Sequence, residues 1–187
     1  MTTRYPGPLR DQPLPIELHN TLYATTRGDR CDGIADAAAL RAWLAAVASD
    51  LPVPAPSIDA DRSAAFRALR DAVRSALHAA LDDKPVPPRA RRTLNDTAAA
   101  CPRSTQLAAD GTRRVRYHAE DPTQIVLAAI AHETIALVTG PRARDLRLCG
   151  APGCVLAFLK DHPRRAWCSP SCGNRARQAR HYARHHH

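Results

Sequence analysis

Apolar residues recur at three- and four-residue steps in two stretches of the chain, which predicts two helices that each bury one face. The first is expected to begin after Asp36, a residue type favoured at helix N-caps, and to end at the proline-rich segment 52–56. The second is expected to run from Ser57 or Asp59 to about Asp82. The apolar residues that form the two stripes are Leu40, Trp43, Leu44, Val47, Phe66, Leu69, Val73, Leu77 and Leu81.

The pattern downstream predicts a short helix, a hairpin and a long buried helix. A helix over residues 88–99 would have proline near its start, where a backbone N–H is not needed. Residues 104–118 alternate around an Asp-Gly turn, which predicts a β-hairpin and is the only clear β element. Between Asp121 and Gly140 the chain is apolar on most sides, as expected for the central helix of a core.

Length and composition restrict the class of protein. The 187 residues suffice for one ordinary domain with a small appendage, and 44% hydrophobic content argues against disorder. No stretch approaches the roughly 20 apolar residues of a membrane-spanning helix. About the first 15 residues are rich in proline and polar residues, which predicts an extended arm and no secretion signal. A cytoplasmic location is therefore expected.

Positive charge is concentrated towards the C-terminus. Residues 141–187 contain ten Arg or Lys and two Asp or Glu, and therefore carry +8 of the chain's +9. A near-neutral body with a strongly basic tail is typical of a protein whose tail meets a polyanion. Arg makes up 25 of the 27 basic residues. Nucleotide composition would explain that choice of residue, but it would not explain the clustering.

Four of the six cysteines form two short-spaced pairs, Cys149-x4-Cys154 and Cys168-x3-Cys172, separated by thirteen residues. Each pair can wrap one edge of a tetrahedron, and glycine and proline within the first pair favour the tight turn that this requires. Four thiolates leave no open coordination position, which predicts one structural Zn²⁺ ion. The alternative, four reduced cysteines without a metal, is disfavoured by the paired spacing.

The chain between and after these pairs completes a small module. Val155–Leu159 predicts a short strand, Arg165–Trp167 leads back to the second pair, and a helix follows. Knuckle, hairpin and helix in this order predict a treble-clef-like zinc finger with four cysteine ligands. The expected fold is a mainly α N-terminal domain with a small β-hairpin (α+β) over residues 1–140, followed by the zinc finger over residues 141–187.

The predicted C-terminal helix, capped by Ser169 or Ser171, has two different faces at about 100° per residue. Small residues face the metal, and the opposite face carries residues that can contact DNA, since Arg pairs with guanine and Asn with adenine. The inward set is Cys172, Ala176, Ala179 and Ala183, and the outward set is Asn174, Arg177, Arg180, His181 and Arg184. Arg175 lies off the outward stripe, so it is expected either to brace the finger or to reach a phosphate.

The partner of this helix is open to more than one interpretation. Double-stranded DNA is favoured, because zinc and a basic helix occur together. A solvated basic helix that serves solubility or a protein partner is the alternative. RNA is less favoured, since aromatic residues, on which single strands stack, make up only 4% of the chain.

The segments Leu148–Cys154, Trp167–Ser169 and above all Cys172–Arg175 resemble the CGNR zinc-finger family, which is named after the last tetrapeptide. Upstream, Glu17–Leu22 followed by the Leu40–Leu44 helix resembles the ABATE domain of stress-induced bacterial transcription regulators. Together the two resemblances cover nearly the whole chain.

The resemblance implies that the four cysteines are the zinc ligands and that Asn174 and Arg175 are signature residues of the finger. It also implies a zinc-dependent, DNA-binding transcriptional regulator whose N-terminal domain senses a small molecule or a stress signal. The alternative is a zinc-stapled protein-interaction adaptor that does not contact DNA.

A small-molecule effector is the second expected partner, and a second copy of the chain in a homodimer is the third. The effector pocket is predicted at His19, Asn20 and Arg27, where polar residues adjoin apolar ones. The alternative is that Asn20 and Thr21 cap the first helix. The sequence contains no glycine-rich phosphate loop and no metalloprotease motif, so no enzymatic activity is expected.

Overall fold

Six α-helices and three two-stranded antiparallel hairpins occur in the computed structural model, which describes residues 4–9, 11–25 and 28–185. The helices are α1 (Leu14–His19), α2 (Ala37–Ala46), α3 (Ala60–Leu81), α4 (Pro88–Ala100), α5 (Pro122–Thr139) and α6 (Pro170–His185). The strands are β1 (Leu22–Ala24), β2 (Arg30–Asp32), β3 (Arg103–Leu107), β4 (Arg113–Tyr117), β5 (Leu146–Leu148) and β6 (Ala157–Leu159). We call the part from α1 to α5 the body and the part from β5 to α6 the finger.

Hydrogen bonds at the helix ends fix where α2 and α3 begin and where α3 stops. The carboxylates of Asp36 and Asp59 each accept a hydrogen bond at 2.8 Å from the backbone N–H three residues later. Beyond α3, Asp83 adopts a left-handed φ of 51° and Lys84 N–H donates to the carbonyl of Ala79, which is a Schellman turn. The predicted starts of both helices and the predicted end of α3 are confirmed, whereas α2 ends at Ala46, before the proline-rich segment that is expected to end it.

α5 is the central helix of the body and packs against α1, α3 and α4. It begins after Asp121, whose carboxylate caps the helix by accepting a hydrogen bond from the backbone N–H of Thr123 at 2.9 Å. By length and composition alone α5 could cross a membrane. Half of it is buried inside the protein, which is the property of a core helix.

One cluster of apolar side chains joins the helices of the body to the finger. Trp43 and Phe66, both fully buried, meet edge to face with ring centroids 6.5 Å apart. From the finger, Leu146, Ala157 and Leu159 belong to the same cluster. Burial of a leucine side chain contributes about 1.5–3 kcal/mol, so the apolar face of the β5–β6 hairpin holds it to the body.

The structure contains more β structure than the sequence pattern indicates. β3–β4 is the predicted hairpin, paired from Arg103 opposite Tyr117 to Leu107 opposite Arg113. In the body the prediction that it is the only clear β element is wrong, because β1–β2 also pairs antiparallel. In the finger β6 falls inside the predicted strand and pairs antiparallel with β5. The strands that the sequence pattern does not predict, β1, β2 and β5, have three residues each, too few for alternation to be recognised, so their formation depends on packing.

The N-terminal arm packs against the body and the finger. Residues 4–9 and 11–13 hold no helix or strand, as predicted. Tyr5 is nevertheless buried in the core cluster. The side-chain oxygen of Gln12 accepts a hydrogen bond at 2.7 Å from the backbone N–H of Leu159. The arm therefore fastens the finger hairpin to the body.

Asn20 fastens the same hairpin at Ala157, two residues before Leu159. Its fully buried side chain donates from Nδ2 to the carbonyl of Ala157 at 3.0 Å, and its Oδ1 accepts from the N–H of Ala157 at 2.8 Å. Ala157 is itself fully buried, so its backbone has no access to water. The amide of Asn20 thus supplies the partner that a third strand would otherwise supply.

Replacing Asn20 by alanine is expected to destabilise the protein by about 2–4 kcal/mol, since two buried backbone groups of Ala157 would each lose a partner at about 1–3 kcal/mol. Urea unfolding followed by circular dichroism measures the change. The matched control is Asn95→Ala at an exposed position of α4, which is expected to change stability by less than about 0.5 kcal/mol. Equal destabilisation by both substitutions would contradict the role given to Asn20.

Candidate zinc centre and basic helix

The β5–β6 hairpin presents the first cysteine pair in its connecting loop. β6 falls inside the predicted strand, and its partner β5 directly precedes Cys149. Cys149 N–H donates to the carbonyl of Leu156 at 2.8 Å, and Cys154 N–H donates to that of Ala151 at 3.0 Å. Gly153 adopts a φ of 72°, which glycine accepts without strain and which lets the loop turn back between the two cysteines.

The second cysteine pair comes from the start of α6. Cys168 precedes the helix, and Cys172 lies in its first turn. The hydroxyl of Ser169 accepts a hydrogen bond from the N–H of Cys172 at 3.3 Å and so caps the helix. Of the two serines considered as caps, Ser169 is the one that makes this contact.

All four thiol sulfurs lie within 4.8 Å of one another. The Sγ of Cys168 lies 3.8 Å from that of Cys154 and 3.5 Å from that of Cys172. Sulfurs placed about 2.3 Å from a tetrahedral zinc would be about 3.8 Å apart. Cys149, Cys168 and Cys172 are buried, and Cys154 is half-buried. The four cysteines therefore fit one structural zinc ion, as predicted.

Hydrogen-bond donors surround these sulfurs. Cys168 N–H donates to the Sγ of Cys149 at 3.4 Å, and a guanidinium N–H of Arg175 donates to the Sγ of Cys172 at 3.4 Å. Hydrogen bonds from the thiols of Cys154 and Cys168 lower the pKa of Cys149, whereas the same pairing raises the pKa of Cys154. A bound zinc ion would supply positive charge that favours ionisation of the thiols.

Arg175 contacts the cysteine cluster. Its side chain is half-buried, and its guanidinium is the cation in contact with Cys172. Four thiolates around Zn²⁺ leave a net charge of about −2, which a nearby guanidinium partly offsets. Of the two roles expected for Arg175, this contact supports bracing of the finger, and a phosphate contact stays a prediction.

A few large side chains complete the small core of the finger. Phe158 is fully buried, and the guanidinium of Arg165 lies 4.9 Å above its ring. Trp167 lies between the two halves of the finger. A Cβ at Gly150 would stand 3.4 Å from its Cζ3, and a Cβ at Gly173 would stand 2.9 Å from its Cδ1. Sequence reasoning missed this contact, although a tryptophan directly before a metal ligand is a signal for it.

Substituting Gly173 by alanine is expected to weaken the folded finger by about 1–2 kcal/mol. Overpacking a core costs about 1–3 kcal/mol, and the upper part of that range applies here because the added Cβ would stand 2.9 Å from a rigid indole. The higher helix propensity of alanine offsets about 1 kcal/mol of this cost. Zinc affinity should therefore fall about 5- to 30-fold, because the finger folds as it binds metal. Competition with a chromogenic chelator measures the loss.

The control for this substitution is Gly150→Ala, on the other side of the same indole ring. The added Cβ would make an ordinary contact there, and the backbone at this position has no positive φ. Zinc affinity should therefore change little. An equal loss of affinity in both variants would contradict a steric requirement for glycine at position 173.

α6 extends beyond the finger core. Ala176 is buried beside Cys172, whereas every side chain from Arg177 to Arg184 is exposed. The prediction that Ala179 and Ala183 face the metal is wrong, because the finger core ends at Ala176 and both alanines are exposed. About two turns of helix therefore project into solvent.

The predicted DNA-contacting residues lie on this projecting part of α6 or in the helical turn before it. The exposed ones are Asn174, Arg177, Arg180, His181 and Arg184. Arg177 donates to the Oδ1 of Asn174, and the Nε atoms of Arg180 and Arg184 donate to carbonyls one turn earlier at 3.3 Å. Within the described residues no carboxylate pairs with these three arginines, and α6 contains no acidic residue. Their positive charge is therefore available to an external anion.

Two of the three residues predicted to line an effector pocket are buried in structural contacts. His19 stacks on His78 with ring centroids 5.5 Å apart, and burial lowers the pKa of His19 to about 3. Asn20 holds Ala157 and forms the C-cap of α1. Arg27 lies outside the described residues. These contacts do not support a pocket here, and a cavity of about 360 Å³ lies instead among the start of α1, the end of α5 and the 3-10 turn after it.

A helical body joined to a four-cysteine finger with a basic C-terminal helix defines a zinc-finger protein. Family models match the chain in two places. Residues 12–141 match ABATE, described as a candidate stress-induced transcription regulator, and residues 145–185 match the CGNR zinc finger. The chain therefore belongs to the ABATE family and carries a CGNR zinc finger, and these families are of regulator and zinc-finger type, not enzymatic. No curated protein matches the chain.

Proposed function

We propose that this protein is a transcriptional regulator that binds double-stranded DNA through α6. The observation that carries the proposal is the exposed stretch Arg177–Arg184, which projects from the zinc centre with three arginines that no described carboxylate pairs. Membership of a family described as a candidate transcription regulator supports the regulatory part of the proposal.

The dimensions of α6 suit the major groove. A helix of 16 residues is about 24 Å long, and its exposed final turns project about 12 Å beyond the finger core. The major groove is about 12 Å wide and about 8.5 Å deep, and it admits an α-helix. Because the projecting turns are exposed on all sides, they can enter the groove before the finger core meets the phosphates.

The charge of α6 favours a polyanion over a neutral partner. The helix holds four arginines and no acidic residue. Each phosphate contact made by an arginine releases condensed counterions from DNA, which drives binding at low and moderate salt. A protein partner would need a dense acidic surface to use the same charges equally well.

The test is titration of the zinc-loaded protein with a duplex of about 40 base pairs, close to four helical turns, at several salt concentrations. If three arginines contact phosphates, the logarithm of the binding constant should fall with the logarithm of salt with a slope of about −3 or steeper. A folded, zinc-loaded protein that bound no duplex, or bound it without salt dependence, would overturn the proposal and favour the adaptor function.

Replacing Asn174 by alanine is expected to weaken binding to the preferred site by about 1–3 kcal/mol, the cost of a lost bidentate contact with a base. Binding to other duplexes should change little, because phosphate contacts carry no sequence information. The preferred site is obtained by selection from a random duplex pool, and titration of that site and a scrambled duplex measures the difference. Equal losses on both duplexes would show that Asn174 does not read bases.

A further inference from the structure

The β3–β4 hairpin carries a second concentration of positive charge, outside the finger. Residues 103–117 contain four arginines and one acidic residue, so this segment carries +3. Residues 1–140 as a whole carry +1, and the rest of the body is therefore net acidic. The hairpin arginines are Arg103, Arg113, Arg114 and Arg116, and all four are exposed.

The hairpin projects from the body as a two-stranded ribbon. Among the described strands, β3 and β4 pair only with each other, so both outer edges are open. Tyr117 anchors the base of the ribbon in a small apolar cluster with Cys101, Ile125 and Ala128. Leu107, at the far end of β3, is 82% exposed, so the tip of the ribbon does not pack against the body.

The two faces of the ribbon differ in chemistry. Val115 is half-buried and marks the inner face. Side chains alternate between the faces of a strand. The outer face is therefore formed by Arg114 and Arg116 and, on the facing strand, by Gln106 and the half-buried Ser104, whose hydroxyl lies 2.9 Å from Nε2 of His118. Arg113 lies on the same face as Val115, but at the exposed tip of the ribbon, opposite Leu107. Guanidinium, hydroxyl and amide groups are the side chains that hydrogen-bond to the phosphates and bases of DNA.

Little acidic charge offsets the hairpin arginines. The carboxylate of Asp110 accepts hydrogen bonds from the N–H and hydroxyl of Thr112 at 3.0 and 2.6 Å, and lies 3.9 Å from Arg114. That ion pair is exposed, so water and salt screen it. In the part of the chain that the structure describes, no carboxylate pairs with Arg113 or Arg116.

We infer that the β3–β4 hairpin is a second DNA-contacting element, which binds the phosphates of a duplex through Arg114 and Arg116 on its outer face and Arg113 at its tip. This inference rests on the proposed DNA binding by α6. The major groove, about 12 Å wide, admits a two-stranded β-ribbon as well as a helix. Strands of five residues are about 17 Å long and about 4.8 Å apart, which is the size of ribbon the groove accommodates.

Charged residues on open strands also serve a different purpose, since they prevent sheets from pairing edge to edge. Different measurements distinguish the two roles. A phosphate contact changes the affinity for DNA and its salt dependence. Edge protection changes self-association of the protein and leaves its affinity for DNA unaltered.

The experiment compares two triple variants that remove the same charge from the full-length, zinc-loaded protein. The test variant replaces Arg113, Arg114 and Arg116 by alanine. The control replaces three exposed arginines of α4, namely Arg89, Arg91 and Arg92. Binding of the same mixed-sequence duplex is titrated at several salt concentrations. The test variant should bind about 10- to 100-fold more weakly at moderate salt, with a salt slope shallower by about two to three units, whereas the control should lose little.

Three results would overturn the inference. The test variant could bind as tightly as the parent, the α4 control could lose as much as the test variant, or the test variant could change only in self-association. Replacing the same three hairpin arginines by lysine keeps the charge and should preserve the salt slope. A shallower salt slope in this lysine variant would also contradict phosphate contacts. If the parent protein binds no duplex, the proposed function is wrong. If the parent binds and an α6 variant loses binding while the hairpin variant does not, only the hairpin inference is wrong.

Discussion

Replacing Cys172 by serine is expected to remove zinc from the protein and to unfold the finger. The thiol of Cys172 is one of four sulfurs within 4.8 Å of one another, and serine cannot offer a thiolate. A structural zinc contributes about 10–16 kcal/mol of apparent binding free energy in zinc-finger peptides. Each large side chain of the finger core contributes only about 1.5–3 kcal/mol, and few are present. The small core around the cysteines therefore cannot by itself hold the cysteine-bearing loop and α6 in place, although the β5–β6 hairpin is also packed against the body.

Metal analysis of the purified variant and circular dichroism of its helix content measure this effect. The control is Cys31→Ser, at a half-buried cysteine outside the cluster, which should retain one zinc per chain. A Cys172→Ser variant that kept both its zinc and its parental helix content would show that the four thiols are not the metal site.

Replacing Arg177, Arg180 and Arg184 together by alanine is expected to weaken binding to all DNA duplexes by about two to three orders of magnitude near physiological salt. The salt slope should become shallower by about three units, because each lost phosphate contact removes about 0.9. The side chains are exposed and lie beyond the finger core, so zinc content and thermal stability should stay at the parental level. Fluorescence anisotropy titration at several salt concentrations checks both numbers.

The matched control for this variant places lysine at the same three positions. Lysine keeps the positive charge, so the salt slope should stay near that of the parent, although bidentate contacts made by guanidinium groups would be lost. If the alanine variant, folded and zinc-loaded, bound its duplex as well as the parent, α6 would not be the DNA-contacting element. The adaptor function would then be the better account of the exposed basic helix.

The long helices could be predicted from the sequence because their signals are local and repeated. α3 carries five apolar residues at helical spacing and an Asp at its N-cap, and every one of these signals is visible within the helix itself. β5 has only three residues, and it forms because β6 and the body lie next to it. A short pattern of this kind does not distinguish a strand from a loop.

The residues of the candidate site also differ in whether the sequence predicts their roles. The zinc ligands are predictable because tetrahedral coordination imposes their spacing on the chain. The role of Asn20 is not, because its partner Ala157 lies 137 residues away and no local pattern links the two. Helix periodicity predicts an inward Ala179, but periodicity gives a direction and not the extent of the core that lies in that direction.

The core shared by the body and the finger has a thermodynamic consequence for both. Cys149 and Cys154 stand in the loop of a hairpin whose Leu146 and Leu159 are buried with the body and whose Ala157 is held by Asn20. Coupling free energies are reciprocal. If zinc raises the affinity of the body for a ligand by a given factor, that ligand raises the affinity of the finger for zinc by the same factor. Zinc binding would thus increase the thermal stability of the body as well as that of the finger, and a change that disrupts their shared core would weaken zinc binding.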